Sequence, residues 1–241
     1  MFKALAPGAS ACAKKCINNA IIFVGLVASL GAQAADIRLL DQNSKPVANA
    51  VVSFMVKESA SPTAAQTAAK TAIMDQIDFL FHPTVLVVQK DQWVSFPNSD
   101  NVRHHVYSFS SPKTFEIKMY KGSESKAIQF SNAGVVVLGC NIHDSMIGYI
   151  YVQDQELALK SDQNGRVSLD LSIAKHKDNK QLQISIWHPQ LSVSQSERIS
   201  YTIDPLQQNE HLIKLDFVIP NEADKAASKG FGKRFGKGGD S

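Results

Sequence analysis

The chain has 241 residues, 44% of them hydrophobic and 20% charged, and a formal net charge of +3. That length fits one or two folded units, and the composition excludes collagen-like, coiled-coil and wholly disordered chains. The positive excess lies at the two ends rather than in the body.

The first 34 residues carry Lys3, Lys14 and Lys15 and no acid. An apolar run from Ala20 to Leu30 follows, and then Gly31-Ala32-Gln33-Ala34. A basic start, a short apolar stretch and a small-x-small ending make the secretory signal pattern. A membrane span needs about 20 apolar residues, and this run is shorter. The pattern predicts a signal peptide over 1–34, cleaved after Ala34, with no membrane span in the mature chain. No Cys stands just after the apolar run to carry a lipid anchor. Without residues 1–34 the basic residues fall from 25 to 22, against 22 acids. A neutral mature chain lacks the basic stripe that nucleic acid requires, so no nucleic-acid partner is expected.

In the mature chain Ile37, Leu39 and Leu40 lead into a turn over Asp41–Pro46. Residues 50–56, AVVSFMV, then read as a buried strand, and the two together as a hairpin. Residues 59–72 are rich in Ala, Thr, Ser and Gln and read as a linker or a short helix. From 75 to 153 strand signals are dense. Phe79, Phe81 and 85–88 form one group, followed by 93–96, 104–109, 115–120, 135–138 and 147–152. Short strands at about 8–12-residue spacing, with no helical period, predict an all-β sandwich or barrel.

Residues 154–220 continue in the same manner. Ser161-Asp162-Gln163-Asn164-Gly165 reads as a hairpin turn, and 167–171 and 182–187 alternate polar with apolar. Leu212 to Val218 closes the folded part. At about 65 residues this stretch is too small to be comfortable alone. Residues 221–241 hold five basic and three acidic residues among glycines and read as a disordered tail.

Cysteine usage focuses the chemistry. Cys12 and Cys16 lie in the signal segment, so the mature chain keeps Cys140 alone. In an oxidising compartment a single thiol can make no internal disulfide and must be buried or ligated. Cys140, His143 and Met146 stand at i, i+3 and i+6 between two apolar strands. A thiolate, an imidazole and a thioether on one tight loop can converge on one ion. Soft sulfur with imidazole selects copper or zinc over magnesium or calcium, and thioether counts for little at zinc. Two imidazoles, one thiolate and a weak axial Met make an electron-transfer copper site. A second imidazole is then required, and His104 and His105 supply two candidates. Strand alternation sends the pair to opposite faces, so only one should ligate. A Cys–His nucleophile is disfavoured: such partners meet from distant sequence, and no oxyanion loop is visible. Cys-x-x-Cys-His is absent, which excludes covalent haem.

The Cys140-x-x-His143-x-x-Met146 loop resembles that of the cupredoxins, the blue-copper family of plastocyanin, azurin and amicyanin, in the short amicyanin-type length. The approach Phe130-Ser131-Asn132-Ala133-Gly134 is similar to the family's lead into the Cys strand. Val94-x-Phe96-x-Asn98-x-Asp100 followed by His104-His105-Val106 is similar to its Val-x-Phe-x-Asn-x-Asp…His-Asn-Val. The resemblance covers roughly 75–153; the whole chain also resembles exported methylamine-utilisation or plastocyanin-like proteins. It implies a Greek-key sandwich holding one copper ion per chain through His104, Cys140, His143 and Met146. His105 falls where the family has an Asn that ties two copper loops together. The resemblance implies that His105 takes over part of that tie through Nδ1 or competes for the metal. Asp91 stands where Gly is common, and Asp tolerates left-handed turns. Gly139 replaces a larger residue, which implies a more open site.

Asp41…Lys45-Pro46-Val47-x-x-Ala50-Val51-Val52 and Lys160-Ser161-Asp162-x-x-Gly165 resemble consecutive pieces of a carboxypeptidase-regulatory-like sandwich. The expected organisation is a signal peptide (1–34), first strands of an outer sandwich (35–60) and a linker (61–74). A cupredoxin domain (75–153), the rest of the outer sandwich (154–220) and the tail (221–241) follow. The function expected is a periplasmic one-electron carrier with a transient redox-protein partner, and not an enzyme. The alternatives are a copper-binding or chaperone module without electron transfer, and a structural envelope sandwich with a vestigial site.

Overall fold

The computed structural model describes residues 34–57, 70–122, 127–175, 181–204 and 210–220. The expected signal segment before Ala34, the tail 221–241 and most of the linker lie outside the described residues. The protein is all-β: the described residues hold strands and no helix. β1 (Ala34–Leu40) and β2 (Val51–Met55) come first. Next are β3 (Ala72–Ile73), β4 (Asp75–Ile77), β5 (Leu80–His82), β6 (Val85–Gln89) and β7 (Gln92–Ser95). β8 (His104–Ser110), β9 (Lys113–Tyr120), β10 (Ile128–Phe130), β11 (Gly134–Cys140) and β12 (Ile147–Gln153) follow. The last are β13 (Glu156–Lys160), β14 (Arg166–Asp170), β15 (Leu182–Trp187), β16 (Ile199–Ile203) and β17 (His211–Lys214). Ala72 and Ile73, placed in a linker by the sequence, are instead β3, parallel to β7.

Two packed lobes share this chain. In the outer lobe β1 lies between β14 and β17, and β2 between β13 and β15, with β16 at the edge. Strict alternation turns Ile37, Leu39, Val167, Leu169 and Ile213 from one sheet against Val52, Phe54, Ile184, Ile186 and Ile203 from the other. The two turns read as hairpins from sequence are corners instead. Residues 41–50 carry the chain from the first sheet to the second, and 161–165 carry it back. Their local chemistry is turn-like, and the second corner also bonds to the first and to the strand before it. The Ser161 hydroxyl donates to Val47 O (2.7 Å) and accepts from Ala50 N (2.9 Å), and Leu39 N donates to Gly165 O (2.8 Å). Gly165 has φ +73°, and a Cβ there would stand 2.4 Å from Leu39 O, so only glycine lets the corners meet. Asp41, fully buried, accepts from the N–H groups of Asn43, Lys45 and Ile219 at 2.8, 2.8 and 3.0 Å. Burial alone would raise its pKa, but these N–H groups outweigh it and hold the carboxyl below its usual value.

The inner lobe has a five-stranded sheet, β6-β12-β11-β8-β9, and a smaller one, β10-β7-β3. Between them lie Phe81, Val88, Val94, Phe96, Val106, Phe130, Val136, Leu138, Ile150 and Val152. Asp91 has φ +68° at the β6–β7 turn, the left-handed conformation its short side chain tolerates. β12 faces both lobes by alternation: Ile150 and Val152 enter the inner core, while Tyr149 and Tyr151 face Trp187 of β15 at 5.7 and 5.9 Å between rings. Val51, Val85 and Ala158 complete this apolar seam.

Candidate metal centre

The site lies at one end of the inner lobe, where β8 begins and β11 ends. Antiparallel pairing sets Cys140 opposite Val106, which brings the start of β8 beside the thiol. The alternation Val136, Leu138, Cys140 turns the sulfur inward, and Cys140 is 3% exposed. His104 and His105 diverge as alternation demands. His104 is fully buried beside Cys140, whereas His105 Nε2 meets Glu116 Oε1 on the outer face at 2.8 Å. The loop 140–146 folds tightly: His143 N donates to Cys140 O (3.4 Å) and Met146 N to His143 O (2.9 Å).

Three donor atoms converge. His104 Nδ1 and His143 Nδ1 are 3.1 Å apart, and Cys140 Sγ lies 3.8 Å from the first and 3.6 Å from the second. Nitrogen and sulfur ligands about 2.0–2.3 Å from one ion stand about 3–4 Å from one another, so these residues fit a soft ion. The tautomer of His104 fits as well. Its Nε2 lies 2.7 Å from Asp100 Oδ2, and a carboxylate can only accept, so the ring hydrogen sits on Nε2 and the Nδ1 lone pair faces the trio. Met146 is fully buried in the same core cluster as Cys140, at the loop's end.

Asp100 is held as firmly as it holds. Asn98 accepts from Asp100 N (3.0 Å) and donates to Val102 O and Tyr120 O (2.9 Å each), which freezes the loop between β7 and β8. The Asp100 carboxylate accepts from Asp78 N (2.7 Å) and Phe79 N (3.0 Å) as well as from His104. Burial raises its pKa, but the Phe79 N–H, His104 and the Asp78 N–H together bring it below the ordinary carboxylate value. The carboxylate stays ionised, as an acceptor must.

No family model matches the chain, and no curated protein does. Among solved structures the chain is similar to a reduced Cu(I) form of an amicyanin variant, with 19% identity over 44% of this chain and 99% of that one, at a TM-score of 0.33. An oxidised amicyanin variant shares 18% identity over the same shares of the two chains, also at 0.33. A purple cupredoxin from Nitrosopumilus maritimus shares 19% over 34% of this chain and 99% of that one, at 0.31.

One expectation at the edge of the site changes. His105 neither ties loops through Nδ1 nor joins the three converging donors: its Nδ1 is buried with no hydrogen-bond partner among the described residues, and its Nε2 is taken by Glu116. The register shift between His104 and Val106 in the β8–β9 ladder accompanies this outward turn. Gly139 makes room for a neighbouring side chain. Tyr107 of β8 lies across it, with ring atoms 2.8 Å from where a Cβ would stand. Two residues with no role assigned from sequence prove central. Asp100 was visible only as part of a pattern. Phe79 was read as a strand residue, yet it occupies the turn between β4 and β5 and sets its ring edge on His143, 4.9 Å between centroids.

Proposed function

We propose that the protein is a type-1 copper protein that carries single electrons in the periplasm, and that it is not an enzyme. The convergence of His104 Nδ1, Cys140 Sγ and His143 Nδ1 within 3.8 Å carries this reading. Copper held there supplies one reversible electron. The chain's part is to hold the donors still, so that little rearranges between the two oxidation states. Asp100 fixes His104, alternation on β11 fixes Cys140, and the loop bonds fix His143. Met146 would add a fourth, weaker donor, a thioether that suits copper and adds little at zinc. Ligation also protects Cys140 as a thiolate.

His143 is only half-buried, and exposed Phe79, Leu80, Ile142 and Ile147 belong to the same end of the lobe. Such an apolar rim suits a transient redox-protein partner, whose contact area is small. The basic, apolar, small-residue order of 1–34 supports export. Electronic absorption of the copper-loaded chain tests the reading. An intense visible sulfur-to-copper band is expected, lost in Cys140→Ser and kept in His105→Gln. Tight Cu(I) binding without reversible redox cycling would point to a copper-binding module instead, and no stoichiometric uptake to a vestigial site.

A further inference from the structure

Phe79 is costly to the fold in two ways. It has φ +61° and follows Asp78 at φ +53°, so both central residues of the two-residue β4–β5 turn are left-handed. That turn geometry favours Asn-Gly or Asp-Gly, and a bulky side chain there is an outlier. The ring also stays 47% exposed and takes no part in the buried inner core. Packing therefore does not explain why phenylalanine rather than glycine stands after Asp78.

The ring's neighbours suggest another reason. It meets His143 edge-on at 4.9 Å and 82°, and His104 at 5.9 Å and 88°. The backbone N–H groups of Asp78 and Phe79 both end on Asp100, the carboxylate that orients His104. One carboxylate thus fixes a buried imidazole and the strained turn that carries a ring over both imidazoles. Backbone strain maintained by specific bonds at such a place points to function.

We propose that Phe79 is a positioning residue that caps the metal centre. It braces the two imidazoles from outside and bars small ligands and chelators from the His143 side. This rests on the copper reading above. An apolar wall of this kind governs solvent access to a metal and how long the metal stays. The half-buried His143 has few other constraints: its loop is held by two backbone bonds, and Phe79 is the aromatic ring outside it.

Phe79→Gly tests this without threatening the fold, because glycine is the residue the turn prefers. The copper-loaded full chain is mixed with excess EDTA, and the visible band is followed in time. Azide is added to a second sample and the Cu(II) spectrum recorded. Phe79→Gly is expected to lose copper at least about tenfold faster and to respond to azide, with a urea midpoint equal to or above wild type. Phe79→Trp is expected to restore slow release. Release within twofold of wild type and no azide response in Phe79→Gly would overturn the cap. So would a urea midpoint below wild type, which would make the ring an ordinary stabilising contact. A wild-type chain that takes up no copper would overturn the copper reading itself, and the cap with it.

Discussion

Two aspartates, one buried and one half-buried, show how the lobes differ. In the outer lobe Asp41 ends three backbone N–H groups, those of Asn43, Lys45 and Ile219. In the inner lobe Asp100 ends two backbone N–H groups and one imidazole, whose far nitrogen faces a thiol and a second imidazole. The same device, a carboxylate gathering loose donors, closes a corner in one place and aims a lone pair in the other. The first accounts for its polar groups within the fold. The second leaves three donor atoms pointing at one another, an arrangement that an ion would complete.

The contrast is sharpest where the outer lobe is broken. Asp41→Ala takes the acceptor from three part-buried N–H groups, charge-assisted bonds worth about 1.5–3 kcal/mol each, and is expected to cost about 3–5 kcal/mol in urea denaturation. Copper uptake by the folded fraction should not change. An Asp41→Ala chain that binds copper weakly while folded would mean that the lobes are more closely coupled than this comparison allows.

Acid gives the next largest effect, again in the outer lobe. His188 is buried with its ring stacked on Phe217 at 4.8 Å. Loss of solvent pulls its pKa from 6.5 down to about 4, against a hydrogen bond to the Ala48 backbone that opposes the shift. The unfolded chain takes up this proton near pH 6.5 and the folded chain only near pH 4. Between those values the unfolded state binds more protons, so stability falls as pH falls. The loss reaches about 3 kcal/mol at the lower end. Urea midpoints at pH 7, 5.5 and 4.5 should show the slope, and His188→Gln should flatten it.

The smallest change in stability and the largest in function are expected together at Asp100. In Asp100→Asn an amide oxygen at the Oδ1 position still accepts from Asp78 N, while the NH2 at the Oδ2 position leaves the exposed Phe79 N–H to water. The amide NH2 can donate to His104 Nε2, which moves the ring hydrogen to Nδ1, the atom that faces Cys140 Sγ and His143 Nδ1. Copper affinity, measured against a competing chelator, should drop about 10–100-fold, equivalent to about 1.4–2.7 kcal/mol. The urea midpoint should move little. Equal losses in both measurements would erase the distinction between the two aspartates.

Much of this was legible because it is local. Alternation in Phe115 to Tyr120 or Leu182 to Trp187 marks strands wherever they end up, since successive side chains of a strand point to opposite faces. The same rule separates His104 from His105. The seven residues from Cys140 to Met146 keep their three donors within one loop whatever surrounds them. Phe79 was not legible, because nothing in Asp78-Phe79 announces a left-handed turn. Only the bonds from residue 100, more than 20 positions away, hold it there.

The sequence by itself determined that the chain is all-β, where its strands fall and which donor types share a loop, because these follow from short-range periodicity and residue chemistry. Tertiary structure alone decided that the turns at 41–50 and 161–165 are corners between sheets, because a strand's partner is chosen by the core it must cover. It also decided that β8 pairs with β11 so that His104 rather than His105 meets Cys140, and that one carboxylate joins an imidazole to the turn bearing Phe79. Those are contacts between distant residues, and local patterns carry no record of them.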